Sequence, residues 1–202
     1  MNASVIADRR IDAVVIGASA GGVEALMTLL PALPADFAVP VVVVLHLPRQ
    51  TPSALVEIFS AKCALSVCEA EDKAPIEPGT IYLAPPDYHL LIDKGPCLAL
   101  SADEAVNYSR PSIDVLFESA ADFYGTRLAG IILTGANADG ARGLAAIGRA
   151  GGATIVQDPQ TAYASAMPAA ALTQVVPQHL LALDRIVGCL KTLTTAPDNF
   201  KE

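Results

Sequence analysis

A serine hydroxyl attacks carbonyl carbon well only when a base removes its proton, and a neutral imidazole is the usual base at physiological pH. A third group, most often a carboxylate, then fixes the ring. Ser19, His46 and Asp139 supply these residue types. Ser19 sits in Gly17-Ala18-Ser19-Ala20-Gly21, which fits G-x-S-x-G, the tight strand-to-helix turn that lifts a nucleophile out of a sheet. Each of the three has a bland alternative. Ser19 could cap the helix that begins at Gly21 or Gly22. His46 could be a partly buried structural imidazole, and Asp139 could share an Asx-type turn with Asn137. Their common place, just past three apolar runs, favours catalysis over three separate coincidences. The backbone N–H groups of Ala20 and Gly21, at the start of a helix, are the candidate oxyanion donors.

Other chemistries fit less well. A dinucleotide fingerprint would need glycine where Ser19 stands and an acidic residue where the second strand ends in His46. A phosphate-binding P-loop would need Gly-Lys-Ser/Thr, which is absent. In α/β-hydrolases the triad runs Ser, Asp, His, whereas the order here is Ser19, His46, Asp139. His179 is read as the start of a terminal helix, in a capping role, and His89 as a strand residue.

The elements that must hold these groups follow from periodicity. Residues 13–16, 41–45, 128–134 and 153–157 are continuous apolar, largely β-branched runs, as in strands covered on both faces. Helical spacing marks 23–30, 53–61, 113–124 and 141–150. Alternating strands and helices predict an α/β fold, an open and mainly parallel doubly wound sheet with helices on both faces. Residues 80–83, 88–92 and 97–100 are short and joined by Pro85-Pro86-Asp87 and Lys94-Gly95-Pro96, which predicts an antiparallel meander. A last helix is expected over 179–193. Ligands of open parallel sheets bind beyond the carboxyl ends of the strands, where all three candidates lie.

Composition bounds the rest. The chain has 202 residues, 52% hydrophobic and 17% charged, with a formal net charge of −8. That length suits one domain with a sizeable core, and the apolar content excludes intrinsic disorder. The acidic balance argues against nucleic acid and anionic membrane surfaces. No apolar run approaches the ~20 residues of a membrane-spanning helix. Asp8, Arg9, Arg10 and Asp12 stand where a signal peptide would be apolar, so the expected location is cytoplasmic. Cys63, Cys68, Cys97 and Cys189 show no zinc spacing and are expected to be reduced thiols.

Five ordered segments resemble the catalytic domain of the chemotaxis protein-glutamate methylesterases, the CheB type. They are residues 16–22, His46-x-Pro48, Tyr82-Leu83-Ala84-Pro85, residues 110–117 beginning Arg110-Pro111-Ser112, and Ile132 to Gly135 with Asp139-Gly140. The likeness runs from about Val14 to Leu190. It implies hydrolysis of γ-glutamyl methyl esters on cytoplasmic chemoreceptor helices with release of methanol, and for some members deamidation of glutamines. It implies no metal or cofactor, the roles already given for Ser19, His46 and Asp139, and Gly135, Ala136, Arg110 and Ser112 near the oxyanion or substrate. The methylated chemoreceptor is then the partner, and a monomer the expected state. Residues 1–12 read as an extension, 13–193 as the catalytic domain and 194–202 as a tail, leaving no room for a phosphorylatable receiver domain. The family's usual loop is Thr-Gly-Met-Gly-x-Asp-Gly, and here Ala136 and Asn137 replace Met and the second Gly. Tyr108 and Ser109 stand where relatives often carry basic residues. Arg49, Arg110 and Arg142 are candidates for a cationic cleft rim that would offset the net charge toward an acidic substrate.

Overall fold

The computed structural model describes residues 9–46 and 54–195. Pro48, Arg49 and Ser53, and most of the 1–12 and 194–202 segments, lie outside the described residues. Seven parallel strands form the main sheet: β1 (Ala13–Ala18), β2 (Val41–Leu45), β3 (Ser66–Glu69), β4 (Thr80–Leu83), β7 (Leu128–Ile132), β8 (Ala153–Gln157) and β9 (His179–Leu181). Their spatial order is β3-β4-β2-β1-β7-β8-β9. A separate antiparallel hairpin pairs β5 (His89–Asp93) with β6 (Cys97–Ser101). The helices are α1 (Gly22–Leu29), α2 (Leu55–Ser60), α3 (Ile113–Tyr124), α4 (Ala141–Arg149), α5 (Ala166–Gln174) and α6 (Leu183–Lys191).

The unbroken apolar runs are explained by two cores. In β1, Val14, Ile16 and Ala18 join one core with Leu26 and Leu29 of α1, Phe59 of α2 and Ile186 and Leu190 of α6. Ala13 and Val15 join the other, with Leu116 and Phe117 of α3, Leu144 and Ile147 of α4, Met167 of α5 and Leu90 and Leu98 of the hairpin. Successive strand side chains point to opposite faces, so a strand buried on both sides carries no polar alternation.

Two expectations are corrected. Residues 80–83 are not part of a meander: β4 lies parallel to β2, with Val41 opposite Ile81 and Val43 opposite Leu83. Ile81, Tyr82 and Leu83 are buried, which a solvent-facing meander would not provide. Nor does the last helix begin at 179. His179–Leu181 extends the sheet beside β8, and His179 is a buried strand residue rather than a cap. The strand is three residues long and is followed after Ala182 by an amphipathic helix, so no turn residue separates the two in the sequence.

The sheet reverses its order of construction between β1 and β7. Chain entering from β1 moves outward through β2 on one side, and the later strands extend from β7 on the other. The carboxyl ends of β2, β1 and β7 are therefore adjacent at the crevice that such a reversal opens.

Candidate active site

The three sequence candidates meet there. Ser19 follows β1, His46 follows β2, and Asp139 lies in the loop between β7 and α4. The Ser19 turn is fastened from behind by Thr134. Ser19 N–H donates to Thr134 O (2.9 Å) and Thr134 Oγ1 donates to Ala20 O (2.8 Å). Thr134 Oγ1 in turn accepts from Ala164 N–H (2.8 Å), while Gln157 Oε1 accepts from Thr134 N–H (2.9 Å). The turn closes with Gly22 N–H donating to Ser19 O (2.7 Å). It then passes through Gly21 at φ 76°, where an added Cβ would lie 2.6 Å from the Tyr163 Cβ. Only glycine meets both conditions. Among the described residues the Ala20 and Gly21 N–H groups enter no hydrogen bond, so both are available to an oxyanion. Residues 19–24, Leu45 and His46 line one open pocket.

His46 and Asp139 are in direct contact, Nε2 to Oδ2 at 2.9 Å. Asp139 is fully buried. Burial alone would raise its pKa, but donors from His46, Asn107, Ile113 and Ser112 outweigh that cost and hold the carboxyl below its ordinary value. The donors come from one place. Ser112 Oγ reaches Oδ1 (2.8 Å), Ile113 N–H reaches Oδ2 (2.6 Å) and Asp114 N–H reaches Oδ1 (3.3 Å), so the N-terminus of α3 is aimed at the carboxylate. An ionised carboxylate only accepts, so Nε2 carries the imidazole proton and Nδ1 is the basic nitrogen.

Asn107 is the residue that sequence reasoning missed. Its Nδ2 donates to Asp139 Oδ1 (2.8 Å) and to Asp114 Oδ2 (2.9 Å), placing one amide between two buried carboxylates. Asn107 and Tyr108 have φ of 51° and 61° in a turn where Val106 and Ser109 exchange both backbone hydrogen bonds. Asparagine tolerates this region better than most residues, and the turn residue itself was the available signal. Asp114 is completed by Gly143 N–H (2.8 Å) and Arg142 Nε (3.1 Å).

The candidates inferred from the resemblance divide. Ser112 is completely buried and its hydroxyl donates to Asp139. Its N–H donates to His89 Nδ1 (3.2 Å), and His89 Nε2 donates to Glu104 O (3.0 Å), which gives the strand histidine a structural task. Gly135 N–H donates to Ala164 O (3.0 Å). Ala136 is exposed in the same loop. Arg110 Nη1 donates to Ala102 O (2.9 Å) and Asp103 O (3.0 Å), and Arg142 pairs with Asp114. Both arginines brace loops through these bonds, the Arg142 side chain staying exposed, and Arg49 is outside the described residues. Among the described residues no group of three metal-ligating side chains converges.

Comparison with known proteins agrees with this architecture. The CheB methylesterase family model matches residues 14–190. The chain belongs to the CheB methylesterase family. It is thus a carboxylic ester hydrolase by descent. A protein of Leptospira interrogans is 46% identical over 175 residues, covering 87% of this chain and 91% of that protein. The protein-glutamate methylesterase/protein-glutamine glutaminase 2 of Caulobacter vibrioides is 38% identical over 180 residues, 87% of this chain and 52% of that one. The crystal structure of the Thermotoga maritima CheB methylesterase catalytic domain superposes with a TM-score of 0.87 at 31% identity, covering 92% of this chain and all of the other. No helix among the described residues is long and apolar enough to cross a membrane.

Proposed function

We propose that residues 13–193 hydrolyse glutamyl methyl esters on the cytoplasmic helices of chemoreceptors, releasing methanol, with Ser19 as nucleophile, His46 as general base and acid, and Asp139 as the group that orients the ring. The observation that carries this reading is the His46–Asp139 pair, its carboxylate buried, at the carboxyl edge of the sheet beside the strand that leads into Ser19. Ser19 Oγ attacks the ester carbonyl as its proton passes to His46 Nδ1. The tetrahedral oxyanion is held by Ala20 and Gly21 N–H, and methoxide leaves with the proton from His46. Water then attacks the acyl-enzyme, again giving its proton to His46, and the free glutamate departs. The same groups accommodate a glutamine amide, with ammonia leaving in place of methanol, in keeping with the double activity named for the Caulobacter relative. A cytoplasmic location follows from that substrate.

The test is release of labelled methanol from methyl-labelled receptor. The chain should release it at a rate proportional to protein added. Failure to do so with a folded protein, alongside hydrolysis of unrelated esters, would redirect the reading to another ester or amide on the same machinery.

A further inference from the structure

The base nitrogen of His46 has a neighbour that the mechanism does not use. Asn137 Nδ2 lies 3.4 Å from His46 Nδ1, on the side of the ring away from Asp139. The amide's orientation is set by its other end, because Asn137 Oδ1 accepts from Asp139 N–H (3.2 Å), a group that can only donate. The NH₂ end therefore faces the lone pair that must receive the Ser19 proton. Among the described residues Ser19 Oγ makes no hydrogen bond of its own, to His46 or to any other group.

We propose that Asn137 is a positioning residue that holds His46 in its resting, neutral form and competes with Ser19 for the Nδ1 lone pair. The proposal rests on His46 being the base. A donor facing Nδ1 has two consequences. It stabilises the tautomer with the proton on Nε2, which is the one a Ser19 base requires. It also opposes the imidazolium, since protonated Nδ1 would place one N–H against another, so the amide must give way as the proton is transferred. The ionisable groups nearest the ring are carboxylates: Asp139 is bonded to Nε2, and Glu24 of α1 lines the same pocket. Behind Asp139 lie Asp114 and its partner Arg142. Against that largely anionic setting, Asn137 is the contact that favours the neutral ring. Glycine, the usual family residue at this place in the loop, offers no such contact.

Nuclear magnetic resonance titration of the imidazole nitrogens reads this without substrate, since the chain has only three histidines and His46→Ala identifies the signal. Asn137→Gly should raise the His46 midpoint, as one weak hydrogen bond to the neutral form is lost. Asn137→Asp keeps the acceptor for Asp139 N–H but turns an oxygen toward Nδ1, and should raise it further. In the esterase assay the acid limb should move to higher pH in the same order. The Asp variant should lose activity near neutrality and regain it in alkali, and the Gly variant should show a several-fold higher kcat at high pH. Midpoints and limbs unmoved in both folded variants would overturn the proposal. A His46→Ala protein that keeps its activity would instead overturn His46 as base, whatever the titration shows.

Discussion

Asp139 shows how a residue's neighbours decide its part. Alone in a buried loop it would tend to protonate, but its five donors keep it charged and fixed beside His46. Asp139→Asn should therefore cost roughly 10³-fold or more in activity while the fold survives, because an amide can present its N–H to Nε2 and select the wrong tautomer. Combined with His46→Ala it should be little worse than His46→Ala alone, since both act on one proton transfer. Steady-state rates of the two single variants and the double variant check this, and additive losses would separate the pair. That Ser19, His46 and Asp139 lie at one edge of the sheet was legible in sequence, because each sits in a segment that leaves an apolar strand. The shell around Asp139 was not. Asn107 and Ser112 are 32 and 27 residues away in sequence, and nothing in their local pattern says which carboxylate they will face.

At the scale of elements, the site depends on how closely α3 approaches β1. Gly17 makes that approach possible: a Cβ there would lie 2.3 Å from Ile113 Cγ2. Ile113 is the residue whose N–H reaches Asp139, so crowding at β1 is passed directly to the carboxylate. Gly17→Ala should lower stability by about 1–3 kcal/mol and reduce activity together with it. Adding Ile113→Ala should relieve part of the crowding, so that thermal melts of the double variant show less than the summed loss; simple additivity would mean that the contact is not the cause. The β1, β2, β7 and β8 strands were readable because they are buried on both faces. Those with weaker signatures escaped. β3 is a partly exposed edge strand with the sequence Ser-Val-Cys-Glu, and α5 contains Pro168 and several alanines with little contrast between its faces. β4 was recognised as a strand but misplaced, since short length and a following Pro85-Pro86 say nothing about its partner.

The whole molecule responds to acid through groups remote from one another. His179 in β9 is buried, its Nε2 without a partner among the described residues, and burial lowers its pKa. The unfolded chain then binds the histidine proton more readily than the folded one, so this contribution to stability is present above the unfolded value of about 6.5 and is lost as pH falls through the folded one. Asp139, also lowered, has the same sign and adds its loss below about pH 4. Denaturant unfolding at pH 7.5 and 5.5 should show a smaller drop in stability for His179→Leu than for the unaltered chain; an equal drop would exclude His179 as a source. Function is likewise a property of the assembled chain, since the loops that carry Ser19 and Asp139 come to one sheet edge only when β1 and β7 lie side by side. Labelling with a serine-directed fluorophosphonate, read by intact mass and peptide mapping, tests the central claim most directly. The native protein should acquire one adduct per chain, on Ser19, and should lose that reactivity on unfolding or in His46→Ala. An adduct on another residue, or labelling of Ser19 that survives either treatment, would contradict the account.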